Sequence, residues 1–177
     1  MKIVIIAGSN RRGSTSTKMS RFVSARLQAR GHAVQLWDLY AQPLPFYDPD
    51  QEARPESATQ LAGLVAEADA IVLATPEYHG SVSGVLKNAL DYLDGDHFSG
   101  KMVLGISSAG GAVGVSSLQH LQVIIRNVHG INCPEWISAG GDQRRFDENG
   151  EPVQTAVKAR VERVLDTFME LSGKLRA

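Results

Sequence analysis

The residues of this chain that can do chemistry gather first at Gly8-Ser9-Asn10-Arg11-Arg12-Gly13-Ser14-Thr15-Ser16-Thr17, directly after the β-branched run Ile3-Val4-Ile5-Ile6. A short strand that stops at a glycine and passes into a helical pattern presents helix-initial N–H groups at the turn, where their partial positive charge favours an anion. Ser9, Ser14, Ser16 and Thr17 add hydroxyl donors, and Arg11 adds a charged fork. The set suits a phosphate. The plainer alternative is a tight turn closed by a Ser/Thr helix cap. Two nucleotide signatures fail here. Gly8 and Gly13 have P-loop spacing, but Ser14 stands where the lysine belongs. Asn10 interrupts the glycine fingerprint of dinucleotide sites. A compact monophosphate wrapped by hydroxyls fits better than either.

Two more loops carry unusual residues. In Thr75-Pro76-Glu77-Tyr78-His79-Gly80-Ser81-Val82-Ser83-Gly84, Pro76 starts the loop rigidly, Gly80 and Gly84 permit close backbone approach, and Tyr78 can lean on a planar ligand. His79 reads as a hydrogen-bonding loop residue, since no second His, Cys or carboxylate is spaced to complete a metal site. Ser107-Ser108-Ala109-Gly110-Gly111-Ala112-Val113-Gly114 is small enough for a flat ring to lie against its backbone. The structural alternatives are a core tyrosine and a flexible helix entry. Together the loops offer a phosphate turn and two glycine-rich walls. A phosphorylated planar heterocycle is their natural occupant, and FMN matches in shape and in its one terminal phosphate.

The elements that must position these loops alternate. Strands are expected near 2–7, 33–38, 70–75, 101–107 and 131–137, and helices near 15–30, 56–67, 83–94, 115–129 and 153–172. Continuous apolar runs such as Ala70-Ile71-Val72-Leu73-Ala74 indicate burial on both faces, as in a parallel sheet. In the last helix Val157, Val161, Val164, Leu165, Phe168 and Leu171 form the apolar stripe, with Lys158, Arg160, Glu162 and Arg163 elsewhere. The expected fold is α/β: a three-layer doubly wound sandwich around a five-stranded parallel sheet in the flavodoxin-like order 2-1-3-4-5, one domain over 1–177. In that order the loops after strands 1, 3 and 4 converge at the switch point. Segments 41–55, with Pro43, Pro45, Pro49 and Pro55, and 140–152, rich in glycine and charge, read as irregular. Asp142, Arg144, Arg145 and Asp147 read as a solvated surface, with an arginine there as a lesser candidate for an NADPH phosphate.

Composition narrows the classes. The 177 residues are 43% hydrophobic and 21% charged with net charge −1, an ordinary globular balance without an electrostatic footprint for nucleic acid. The single cysteine, Cys133, has no internal partner, which favours a reducing compartment. The N-terminal apolar run is too short for a signal segment, and no stretch approaches a membrane span. A cytoplasmic protein without a membrane or nucleic-acid partner is expected.

The chain resembles the NADPH-dependent FMN reductase family of the flavodoxin-like superfamily. Gly8-Ser9-Asn10-Arg11 with Ser14, Ser16 and Thr17 resembles its phosphate loop. Thr75-Pro76-Glu77-Tyr78-His79-Gly80-Ser81 with Gly84, Leu86, Lys87, Asn88 and Asp91 resembles its isoalloxazine loop and the helix after it, and Gly110, Gly111 and Gly114 its third loop. The family often has Asn where His79 stands and Pro where Ser83 stands; both departures lie beside the expected flavin edge and bear on substrate preference. The resemblance implies FMN as cofactor and NADPH or NADH as donor, with hydride passing to flavin N5 and electrons then to a second acceptor such as free flavin, a quinone, an azo dye or a nitro compound, in ping-pong order. It also implies a homodimer or homotetramer. The flavin carries the chemistry, so no side chain is assigned as catalytic.

The expected cofactor contacts are Ser9, Arg11, Ser14, Ser16 and Thr17; Pro76, Glu77, Tyr78, His79, Gly80 and Ser81; and Ser108, Ala109, Gly110 and Gly111. Backbone N–H groups of 77–80 are expected near flavin N5 and O4, and those of 109–112 at the pyrimidine side. Loss of Arg11 is expected to cost on the order of 2–4 kcal/mol of FMN affinity.

Three rivals are weaker. An electron carrier of the flavodoxin type would also bind FMN, but the balance of 18 basic and 19 acidic residues is not strongly acidic. A response-regulator receiver lacks its acids, with Ala7-Gly8-Ser9 and Thr75-Pro76 in their place. A serine-hydrolase elbow at Ser107 lacks its second glycine, and no acid lies between Ser107 and the last histidine, His129. His32, His97 and His120 read as surface or packing residues without partners.

Overall fold

The computed structural model describes residues 1–176. Strands β1 (Lys2–Ala7), β2 (Ala33–Asp38), β3 (Ala70–Pro76), β4 (Met102–Ala109), β5 (Ile131–Asn132) and β6 (Ile137–Gly140) alternate with helices α1 (Thr15–Ala29), α2 (Glu56–Glu67), α3 (Gly84–Asp91), α4 (Gly95–Phe98), α5 (Val115–Asn127) and α6 (Thr155–Lys174). All pairings are parallel, in the order β2-β1-β3-β4-β5, with β6 also on β4. This is the flavodoxin-like order read from the sequence.

The apolar runs are apolar because helices cover both faces of the sheet. Ile3 and Ile5 of β1 face Met19, Phe22, Val23 and Leu27 of α1 and Val161, Val164, Leu165 and Phe168 of α6. Val4 and Ile6, one residue out of phase, join Leu61 and Val65 of α2, Leu86 and Leu90 of α3, and Leu118, Leu121 and Ile125 of α5. Period-two alternation thus sends one strand into two cores. No described helix is long and apolar enough to cross a membrane.

The expected strand 131–137 is two short strands. β4 pairs Met102 and Val103 with Ile131 and Asn132, then Ile106 onward with Ile137 onward. Cys133 N–H still donates to the Val103 carbonyl (2.9 Å), but Pro134 has no N–H to continue the ladder, and the chain loops out before β6. The expected helix 83–94 also stops early, at Asp91. After Leu93, Asp94 caps the separate turn α4, accepting from Asp96 N–H at 3.1 Å, with the His97 ring 2.7 Å from its carboxylate.

Candidate functional site

The C-terminal ends of β1, β3 and β4 are tied together by main-chain bonds. Gly8 N–H donates to the Ala74 carbonyl (2.7 Å), and Glu77 N–H donates to the Ser108 carbonyl (2.7 Å). A Cβ at Gly8 would lie 2.6 Å from both the Ala74 carbonyl oxygen and Leu86 Cβ, so the first loop can leave β1 here only through glycine. Buried Ser83 completes the tie. Its hydroxyl donates to the Gly8 carbonyl (2.5 Å) and accepts from Leu86 N–H (3.1 Å), capping α3 while joining the second loop to the first. The sequence placed Ser83 beside the expected flavin edge without assigning it a contact, and the helix expected from residue 83 starts one residue later, with Ser83 as its cap.

The first loop is a helix start without acid. Ser14 caps α1 by accepting from Thr17 N–H (3.1 Å), and no acidic residue occupies the first turn. Ser9 Oγ accepts from Arg11 N–H (3.2 Å). The backbone N–H groups of Asn10, Arg12, Gly13, Thr15 and Ser16 have no protein acceptor among the described residues. Ser14, Ser16 and Thr17 are buried and bond one another, Ser14 Oγ lying 3.1 Å from Ser16 Oγ and 2.9 Å from Thr17 Oγ1. They brace the turn from inside. The open amides and the exposed Arg11 form its outer surface.

The second loop is a small hairpin. Tyr78 and Ser81 exchange N–H···O bonds of 3.0 Å each way, and His79 (φ 52°) and Gly80 (φ 72°) make the turn between them. Two successive positive φ values mark the type I′ hairpin turn, where Asn-Gly is the favoured pair and His is among the tolerated residues. The expectation for the amides of 77–80 is therefore narrowed. Glu77 and Tyr78 have spent theirs, and those of His79 and Gly80 stay open. The Glu77 carboxylate accepts from Ser117 N–H (2.9 Å) at the start of α5, so its side chain serves the helix. Buried Pro76 ends β3, and Tyr78 is 43% exposed, a surface aromatic and not a core one. Ser81 Oγ lies 2.8 Å from His120 Nδ1.

In the third loop Ser108 and Ala109 finish β4 as buried strand residues, while Gly110, Gly111 and Ala112 are exposed with open N–H groups. Gly140 of β6 fits under this loop only as glycine: a Cβ there would sit 2.2 Å from the Ala112 carbonyl oxygen. The histidines expected to be alone all have partners: His32 the N-terminus (3.4 Å), His97 Asp94 and His120 Ser81. Asn88 and Tyr92, on and just after α3, hold the proline-rich segment. Asn88 donates to the Pro45 carbonyl (2.7 Å) and accepts from Tyr47 N–H (2.8 Å), and the Tyr92 hydroxyl donates to the Phe46 carbonyl (3.1 Å).

The arrangement is that of a flavodoxin-like protein with an anion-ready turn and two amide-bearing walls at the switch point of its sheet. Residues 1–143 match the family described as NADPH-dependent FMN reductase, and the chain belongs to that family. An FMN-dependent NADPH-azoreductase of Staphylococcus saprophyticus subsp. saprophyticus is 38% identical over 154 residues, covering 84% of this chain and 82% of its own. One of Staphylococcus aureus is 34% identical over 155 residues, covering 85% and 82%. Among solved structures, the flavoenzyme NAD(P)H:(acceptor) oxidoreductase FerB of Paracoccus denitrificans superposes with a TM-score of 0.82 at 23% identity, over 98% of this chain and 97% of its own. The fold is shared at that distance.

Proposed function

We propose that this chain, as one domain over residues 1–177, binds FMN across the three loops and uses NADPH to reduce a small-molecule acceptor, an azo compound or a quinone. Family membership and the two staphylococcal azoreductase relatives support the reading. The observation that carries it is the start of α1, where five open amides and Arg11 meet no carboxylate of the protein's own helix turn. That donor set fits a phosphate monoester.

When bound, FMN supplies the hydride and electron transfer between NADPH and the acceptor. The chain supplies position and charge. Arg11 and the amides of Asn10, Arg12, Gly13, Thr15 and Ser16 would hold the phosphate. The N–H groups of His79 and Gly80 would donate to one edge of the ring system, and those of Gly110, Gly111 and Ala112 to the other. Donors fixed in a hairpin need no reorganisation as negative charge grows beside them, and this favours the reduced state. Tyr78, exposed beside them, would bound the acceptor's place.

A homodimer or homotetramer belongs to the same reading. Phe46 is 90% exposed on a segment pinned by Asn88 and Tyr92, and Val123 is 67% exposed on α5, which leaves apolar surface for a second copy. The single buried Cys133 supports a cytoplasmic location.

The test is an anaerobic visible spectrum of the FMN-loaded protein before and after NADPH. Prompt bleaching of the flavin band is expected. Bound flavin that stays oxidised would instead indicate an electron carrier of the flavodoxin type, and failure to bind FMN would overturn the assignment of all three loops.

A further inference from the structure

The cleft between the start of α1 and the turn after β6 holds more positive charge than one phosphate needs. Arg11 and Lys18 stand on one wall, Arg144 and Arg145 on the other, and Asp142 is the one carboxylate among its lining residues. None of these four cations is in an ion pair among the described residues. Arg11 and the open amides already account for a single FMN phosphate. Lys18, Arg144 and Arg145 remain.

The far wall is exposed, as its reading as a solvated surface expected, and its backbone is held in place by hydrogen bonds. Gly141–Arg144 forms a 3-10 turn. Gly141 N–H donates to the Gly111 carbonyl (2.8 Å), Val153 N–H to the Arg145 carbonyl (3.0 Å), and Phe146 bridges Pro152. Beneath it Arg160 donates to the Ser138 carbonyl and to Gln143 Oε1 (2.9 Å). The Arg160 Nε is buried without a partner, and no carboxylate pairs with this guanidinium among the described residues. A fixed cation therefore supports the turn that presents Arg144 and Arg145. Arg160 lies at helical spacing from Val157 and Val164, so it is half-buried beside the apolar stripe of α6.

We propose that this cleft is a second phosphate-monoester subsite, which receives the 2′-phosphate of NADPH and makes NADPH the preferred donor over NADH. The proposal rests on the flavin-reductase reading above. Two phosphates held side by side repel each other, and the three cations beyond Arg11 offset that repulsion.

The test is calorimetric titration of the FMN-loaded protein at low salt with adenosine 2′,5′-bisphosphate and, separately, adenosine 5′-monophosphate. Wild type is expected to bind the bisphosphate roughly tenfold tighter or better, and R144E/R145E to lose that preference. Both side chains are exposed, so folding should survive, as a melting curve of the variant would verify. FMN affinity of the variant, from flavin fluorescence quenching, is expected to stay within about twofold of wild type. Equal binding of the two nucleotides by wild type overturns the proposal. So does a variant whose loss falls on FMN, because the cleft would then serve the flavin phosphate. A wild type that binds no FMN strikes the flavin reading instead, and titration of that protein with the bisphosphate still decides the cleft.

Discussion

The starts of α1 and α5 lie along the same edge of the sheet, and the chain finishes them in opposite ways. At α5 the cap position is Gly114, which offers no side-chain bond, and the Glu77 carboxylate reaches across from the second loop to Ser117 N–H. The positive end of that helix is neutralised from within. At α1 the cap is the neutral hydroxyl of Ser14, the first turn has no acid, and the charges lining the cleft beside it are Arg11, Lys18, Arg144 and Arg145 with the single carboxylate of Asp142. Both helices present the same partial charge. The difference teaches that anion readiness depends on what the protein withholds. A helix start is left ready for an anion when no carboxylate of the chain accepts from its N–H groups.

The sharpest way to break this comparison is Arg11→Ala. Arg11 is exposed, which puts its expected effect at the low end of the range for a charge-assisted contact, about 2 kcal/mol, or a roughly thirtyfold rise in the FMN Kd. Fluorescence quenching would measure it, and the effect should shrink at high salt. An unchanged Kd would mean that the open amides act alone, and the α1 start would differ from the α5 start only by Glu77.

Glu77→Ala tests the other helix. Loss of the cap should cost about 1 kcal/mol, a fall of roughly 2–4 °C in Tm, while FMN affinity changes little. The reverse pattern, with steady Tm and weak FMN binding, would return Glu77 to the cofactor and remove the contrast.

These two predictions also separate what the chain displays in its sequence from what it does not. β1 falls at 2–7 as expected, because an unbroken apolar run has one outcome when helices cover both faces, and the edge strand β2 falls at 33–38 with alternating burial along its first four residues. The first loop was equally visible, since Gly8 and Ser14 are local signals of a strand stop and a helix start. The break at Pro134 and the capping pair Asp94/His97 were also present as local signals, but the apolar pattern around them outweighed the punctuation. The cross-chain ties had no such signal. Ser83 to Gly8 and Glu77 to Ser117 join residues 75 and 40 apart, and nothing periodic announces them. The hydroxyls of Ser14, Ser16 and Thr17 show the same limit from another side: their types suggested donors, and only packing shows the bonds they also make to one another. His79 is the instructive case. Read as a departure bearing on substrate preference, it occupies a left-handed turn position that histidine, like asparagine, can take.

A third helix start, at α4, gives the smallest and most easily signed effect. Asp94 caps it, and the hydrogen bond from His97 holds the Asp94 carboxyl below its ordinary value, with the opposing effect of burial smaller. A depressed folded-state pKa means that the carboxylate's stabilisation is complete above the ordinary aspartate range and is lost as pH falls through the lowered value. Wild type should therefore shed a little stability on the acid side that Asp94→Asn does not have to lose. Asp94 is largely exposed, so the neutral-pH difference should be a few tenths of a kcal/mol, about 1 °C in Tm. Melting curves from neutral pH down to the aspartate range would show the two proteins converging as acid is added. If they instead stay parallel, the Asp94 carboxylate does not finish α4 as Glu77 finishes α5.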